Sequence, residues 1–339
     1  MSGPPLVTVI VPTFGEAPDI EGCLASIAAQ DHGRQQLEVI VVDGCSPDGT
    51  AAAARRALDR LGLGRSRVIE NPERITASNL NVGLRLANGD IVCRVDARTR
   101  LEPHYVRTCA ELLVQRPELA VVGGAQVALP RGSGAVALGI ARALNNRWSM
   151  GGSAYRVARR SGPSDTVYLG AFRRADLLEA GGWDDALASN QDFDLNRRLS
   201  RSGIVWFDAR LRSGYLPRTS VASLWRQYHR FGRAKVDYWR HTGSSPERRQ
   251  WMLLALPPLT AAVGAAAMGF SSDRPRSLRL LVLGGAVAAA GIEAVGTDEP
   301  RGGLRAHGMG VVAMATVGTA WWWGVLQRFI SARGTRRDG

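Results

Sequence analysis

Lysine is nearly absent from this chain of 339 residues: Lys235 stands alone, so the excess of 43 basic over 30 acidic residues is carried by arginine. A lone lysine argues against Schiff-base chemistry and against the lysine of a phosphate-binding P-loop. Cysteine is scarce as well. Cys23, Cys45, Cys93 and Cys109 show neither a Cys-x-x-Cys spacing nor a paired framework, and read as buried thiols of a reducing compartment. There is no Ser-His-Asp grouping, no Gly-x-Gly-x-x-Gly and no internal repeat. The N-terminus lacks a basic stretch ahead of an apolar one, because Leu6–Val11 runs straight into Pro12 and a polar loop, so no cleaved signal is expected. The arginines are scattered and not interleaved with aromatics, which argues against a nucleic-acid partner. Anionic headgroups or a phosphorylated substrate account for them equally well.

What is present is ample material for a core, with 45% hydrophobic residues, and a length that fits one large or two modest domains. Up to about Gln126 short β-branched runs alternate with helical stretches. The runs are Val7–Val11, Leu37–Val42, Val68–Ile69, Ile91–Val95 and Ala120–Val122; the helices are Asp19–Gln30, Thr50–Leu61, Thr76–Ala87 and Pro103–Arg116. Such alternation predicts an α/β fold with a mostly parallel sheet covered on both faces. Ligands of these sheets sit beyond the carboxyl ends of the strands, which directs attention to Pro12–Glu16, Asp43–Asp48 and Asp96–Arg98. Residues 127–165 are rich in Gly, Ser and Arg without clear periodicity and read as a long mobile segment or linker. A second block, Val167–Val236, precedes an apolar tail.

Several pieces recur in a fixed order: Val9-Ile10-Val11-Pro12-Thr13-Phe14-Gly15-Glu16, Val42-Asp43-Gly44-Cys45-Ser46-Pro47-Asp48-Gly49, Asn71-Pro72-Glu73-Arg74, Asn81-x-Gly83, Arg94-Val95-Asp96-Ala97-Arg98, Gly181-Gly182-Trp183-Asp184 and Gln191-Asp192. The series resembles the family 2 glycosyltransferases of GT-A fold, over about residues 6–235, and is most similar to the bacterial succinoglycan-type exopolysaccharide branch. The resemblance implies a Rossmann-like nucleotide-sugar-binding domain over 1–240, with a nucleotide half (1–126) and an acceptor or catalytic half (127–240), followed by C-terminal transmembrane helices within 250–330.

The residues can be read physically beside that resemblance. Asp43 at a strand end is placed to accept from the imide N–H of uracil, with Pro12, Thr13 and Glu16 of the first loop around ribose or base; equally, Asp43 and Asp48 would serve as turn and cap residues before the Thr50 helix. Arg74 could stack on a base, reach phosphate, or stay solvated. Asp96-Ala97-Arg98 sits where the family carries a metal-binding Asp-x-Asp or Asp-x-His. Asp96 can still ligate Mg²⁺ or Mn²⁺. Arg98 cannot, and either pairs with the leaving diphosphate or faces solvent. In the family the Asp of Glu-Asp is the catalytic base, which here implies Asp192; the alternative is that Asn190 or Asp192 caps the following helix, Phe193–Ser202. Gln191 removes a neighbouring charge, which should leave the Asp192 pKa less raised than in a Glu-Asp pair. Asp194 reads as structural. Trp183, Asp184 and Gln191 are assigned with Gln227 and Arg230 to the acceptor or the diphosphate, the last two as i, i+3 neighbours on a basic aromatic helix that could instead lie on a membrane surface.

In the tail, Trp251–Ser272 and Met309–Gln327 are uncharged and close to the ~20 apolar residues that a span requires, whereas Leu280–Ile292 is short unless it takes in Glu293 or Arg279. Arginines flank every segment, so charge gives no clean orientation. The expected protein is thus a membrane-anchored inverting enzyme, its catalytic domain on the cytoplasmic face of the cell membrane. It would move a hexose from a nucleotide-diphosphate sugar, a UDP-sugar, to a lipid-linked glycan. Transfer to polyprenyl phosphate and a non-catalytic scaffold role are the rivals.

Overall fold

The computed structural model describes residues 3–149, 154–157, 160–247, 250–251, 253–255, 291, 293 and 303–334. In chain order the elements are β1 (Val7–Thr13), α1 (Ala17–Ala28), β2 (Leu37–Asp43), α2 (Thr50–Leu61), β3 (Ser66–Glu70), α3 (Thr76–Leu86), β4 (Ile91–Arg94), β5 (Thr99–Leu101), α4 (Tyr105–Gln115), β6 (Leu119–Ala128), α5 (Ala135–Asn145), α6 (Ala154–Val157), β7 (Gly162–Pro163), β8 (Tyr168–Arg173), α7 (Arg174–Glu179), α8 (Gln191–Leu199), β9 (Ile204–Tyr215), α9 (Val221–Thr242) and α10 (Leu304–Gly334). They fall into two compact units, Met1–Val127 with Ala154–Leu216, and Ala128–Ser153 with Pro217–Gly339.

β1 and β2 are buried at every position. Such continuous apolar runs are what strands need when helices cover both sheet faces. Alternate residues of β1 feed two cores. Val7, Val9 and Val11 pack with Ile20, Leu24, Leu58 and Val106, whereas Ile10 packs with Ile40, Leu80, Leu84 and Trp183. The strand order is β3-β2-β1-β4-β8-β6-β9-β5, with β7 on β9. The sheet is parallel from β3 to β4, as expected; beyond β4 the pairs β4–β8, β6–β8, β5–β9 and β7–β9 are antiparallel, so the whole sheet is mixed. Parallel register sets Thr13 beside Asp43, and Ile10 beside Arg94. The loops leaving β1, β2 and β4 therefore share one edge. All four cysteines are free thiols, three of them buried.

The second unit holds α5, α9 and α10. Residues 127–165 therefore include a helix, α5, where a long mobile segment or linker was expected; glycines before and within it mask it in the sequence, and α10 packs along it. α9 and α10 approach closely where Gly232 meets the Trp321 carbonyl and Gly324 meets the His229 carbonyl; a Cβ at either glycine would collide with backbone. Buried in this unit is an ionic cluster, in which Arg142 Nε donates to Glu293 Oε1 at 2.5 Å and His307 Nδ1 lies 2.8 Å from Glu293 Oε2. Lys235 is buried, its ammonium 4.6 Å from the centre of the Tyr238 ring. Leu304–Ser331 of α10 is long and apolar enough to cross a membrane. It contains the expected span Met309–Gln327; the spans over 251–272 and 280–292 lie almost wholly outside the described residues.

Candidate active site

The first wall of the site comes from the β1 and β2 loops. Thr13 Oγ1 donates to Asp43 Oδ1 at 2.8 Å, and Ser46 donates to both Asp43 oxygens, through N at 2.8 Å and Oγ at 2.6 Å. Asp43 is thus buried and holds its own turn. Asp48 accepts from Thr50 at the start of α2 and, through Oδ2, from the Ala17 amide at 3.1 Å, which ties the two loops together. Pro12 is the buried penultimate residue of β1. Arg74 adopts φ 58° and lays its guanidinium 5.9 Å from the centre of the exposed Phe14 ring, forming an open platform next to Gly44. Asn79 Nδ2, held by Asn71, donates to the Thr13 carbonyl and steadies that loop from α3.

The second wall is charged. Arg94, the last residue of β4, is only 7% exposed and bridges two carboxylates: its Nε donates to Asp96 Oδ1 at 2.8 Å and its Nη1 donates to Asp192 Oδ1. The indole N–H of the buried Trp183 donates to the same Asp192 oxygen at 3.1 Å. Asp192 sits in the first turn of α8, but its described hydrogen bonds run to Arg94 and Trp183, and Asn190 makes no side-chain cap either. Both bonds end on Oδ1, leaving Oδ2 without a partner among the described residues. Burial pushes the Asp192 pKa above the ordinary carboxylate value and the charge of Asp96 adds to the rise, against the opposing pull of Arg94 and the Trp183 N–H. Burial works against the charge of Arg94, yet Asp192 and Asp96 together raise its pKa.

Trp183 is aimed by a turn that sequence spacing alone did not explain. Gly182 has φ 69°, and a Cβ there would strike the Asn81 amide oxygen. That amide group grips the turn, accepting from Trp183 N at 2.9 Å and donating to the Trp183 carbonyl at 2.7 Å. Gly182→Ala should therefore cost about 1–3 kcal/mol and loosen the indole contact; thermal unfolding of the variant beside wild type checks it. Asp184 accepts from Ala186 N within its own loop, and Gln191 is buried. Asp194 pairs with Arg198 at 2.7 Å, in keeping with a structural part.

Arg98 is mostly buried. Its Nε lies 3.2 Å from Glu16 Oε1 and its guanidinium 5.8 Å from the centre of the Tyr215 ring. Burial disfavours its charge, but Tyr215, Glu16 and Asp96 raise the pKa overall. Asp96 Oδ2 has no hydrogen-bond partner among the described residues, and the side chain is 32% exposed. Among the described residues no three His, Cys, Asp or Glu converge as a metal cage. One open carboxylate oxygen fits an ion such as Mg²⁺ or Mn²⁺ that takes most of its ligands from phosphates and water. Gln227 and Arg230 stand three apart on α9 of the second unit, the first half-buried and the second exposed.

A mixed sheet, parallel from β3 to β4 and with Asp43 and Asp96 beyond its strand ends, is the GT-A-like architecture of glycosyltransferases. The sequence profile of glycosyl transferase family 2 matches residues 8–162, and the chain belongs to that family. It is 26% identical over 235 residues to the dolichyl N-acetyl-alpha-D-glucosaminyl phosphate 3-beta-D-2,3-diacetamido-2,3-dideoxy-beta-D-glucuronosyltransferase of Methanococcus voltae, covering 68% of this chain and 72% of that one. It is 26% identical over 257 residues to the succinoglycan biosynthesis protein ExoA of Rhizobium meliloti, covering 74% and 75%. The fold matches the mannosyltransferase PcManGT of Pyrobaculum calidifontis, solved in complex with GDP-Man and Mn²⁺, with a TM-score of 0.64 at 24% identity, over 96% of this chain and 87% of that structure.

Proposed function

We propose that this protein is a membrane-anchored inverting glycosyltransferase that moves a hexose from a nucleoside-diphosphate sugar, a UDP-sugar, to a lipid-linked glycan in polysaccharide or cell-envelope synthesis. The observation that carries the reading is Asp192, pinned through one oxygen and open at the other, next to Asp96 on the donor side of the site. In the reaction an acceptor hydroxyl attacks the anomeric carbon while the bond from that carbon to the diphosphate breaks. Asp192 Oδ2 takes the hydroxyl proton, and the nucleoside diphosphate leaves with the bonding pair. Asp43, Pro12, Thr13, Glu16 and Arg74 hold nucleoside. Arg98 turns from Glu16 toward the diphosphate, and Trp183, Asp184 and Gln191 serve the acceptor or diphosphate side. A divalent cation at Asp96, when bound, neutralises charge on the leaving diphosphate. The lipid-linked acceptor is supported by the Methanococcus relative, whose name specifies a dolichyl-linked sugar phosphate, and the anchor by α10.

Membranes containing the full-length protein, given a panel of nucleotide sugars with and without Mn²⁺, test the assignment. Transfer to a polyprenyl-diphosphate sugar is the expected result. Transfer only to polyprenyl phosphate would move the acceptor to the carrier itself, and no turnover of any donor would leave a binding scaffold.

The arginine at position 98 makes a separate demand on the cation. With a single protein carboxylate, metal affinity should be slight without nucleotide and appreciable with UDP, because each ligand supplies part of the other's site. Arg98→Ala should weaken UDP binding ~10-fold. Calorimetry with Mn²⁺, in the presence and absence of UDP, gives both numbers; tight binding of Mn²⁺ to the nucleotide-free protein would sink the account.

A further inference from the structure

Arg94 has no ligand chemistry of its own in the reaction described above, yet it joins the two carboxylates of the site's charged wall. Two residues before Asp96 on an extended backbone, it projects to the same side as that carboxylate. Its guanidinium then reaches Asp192, 98 residues further along the chain. Arg94 itself is buried, only 7% accessible, while the carboxylates it joins keep 32% (Asp96) and 43% (Asp192) of their side chains exposed to the open site. Asp192 Oδ1 accepts from Arg94 and from the indole of Trp183, so rotation of the carboxylate about its Cβ–Cγ bond would break two hydrogen bonds at once.

We propose that Arg94 is the positioning residue of the transfer: it fixes which oxygen of Asp192 meets the acceptor, and holds the base at a set distance from the carboxylate on the donor side. The assignment rests on the reading of Asp192 as base. A cation needed only to balance buried charge could be a lysine. A residue that orients must present two separate N–H groups to two carboxylates, which a planar guanidinium does and a single ammonium on a flexible stem does not. Misalignment of a base by about an ångström is costly for turnover, while the nucleotide loops are left as they were. The loss should therefore fall on kcat and spare the donor KM.

The test uses full-length protein in membranes, with UDP-glucose, UDP-N-acetylglucosamine and GDP-mannose as donors and the membrane's own lipid acceptors, and UDP binding by calorimetry as the check on folding. Arg94→Lys and Arg94→Gly should lower kcat ~10–100-fold with donor KM within about threefold of wild type. Added guanidinium ion should restore at least about fivefold of the lost rate in Arg94→Gly by entering the vacated space. It should do nothing for Asp192→Asn or for the double variant. Trp183→Phe, which removes only the indole N–H, should lower kcat about 3–10-fold with UDP binding unchanged, and it decides the case if Arg94→Gly does not fold. Wild-type kcat in Arg94→Lys, a loss confined to KM, an unrescued Arg94→Gly that still binds UDP, or an unaltered kcat in Trp183→Phe would overturn the positioning role. Asp192→Asn turning over like wild type, or wild type turning over none of the donors, would instead remove the base reading on which the role stands.

Discussion

Asp192→Asn is expected to bind UDP and the sugar donor as wild type does while its turnover falls at least ~100-fold, the low end of what a positioned general base contributes. Asparagine is isosteric and can still accept from Arg94 and Trp183 through its carbonyl oxygen, so the geometry survives. What disappears is the ability of Oδ2 to take a proton. The same group sets the pH dependence. Because burial raises the Asp192 pKa, the base is lost to protonation at higher pH than an ordinary aspartate would be. Activity should decline as pH falls, with the acid limb of kcat/KM above the ~3.9 of an unperturbed Asp. Steady-state rates across pH, at matched expression, check both statements. An Asn variant with near-normal turnover would remove Asp192 from the reaction.

The second large effect concerns stability of the other unit. Arg142 and Glu293 are both almost fully buried, and His307 completes their cluster. Removing Arg142 takes the bidentate cation from a fully buried carboxylate and leaves His307 as its remaining partner in the cluster, and Arg142→Met should cost ~3–5 kcal/mol. Replacing both charges by apolar groups of similar size should recover most of that loss, because the desolvation penalty disappears with the pair. Resistance of the second unit to limited proteolysis, compared across Arg142→Met, Glu293→Leu and the double variant, reads the coupling. Single variants as resistant as wild type would show that the cluster contributes little.

Much of the region up to β6 was legible because its strands are continuous β-branched runs and its turns carry Gly, Pro and Asp at fixed offsets. β1, β2, α2 and α3 lie within two residues of where the pattern set them. β8 and β9 were not marked out, since strands covered unevenly on their two faces give an irregular pattern; along β9 buried and half-buried residues mix. α5 was hidden for a different reason: it is short, follows Gly132-Ser133-Gly134 and carries Gly139 in its middle, so it reads as part of a glycine-rich segment. In the site, Asp43, Asp96 and Arg98 were picked out by strand ends, and Asp192 by the resemblance to the family. Arg94 and Asn81 were not, although both lie inside quoted motifs, because their importance comes from partners about a hundred residues away. The one available hint for Arg94 was its two-residue offset from Asp96, which places both on one side of an extended chain.

The burial of Lys235 against Tyr238 bears on how this protein can be handled. Its only side-chain amine is shielded, so succinimidyl esters and aldehyde fixatives find no open lysine. Lysine-directed crosslinking will be blind to its neighbours, and immobilisation through amines can use only the N-terminal α-amine. Dicarbonyl reagents that modify guanidinium groups will instead label it widely, with Arg94 among the last to react, and the protection of that arginine can be followed by mass spectrometry as nucleotide is added.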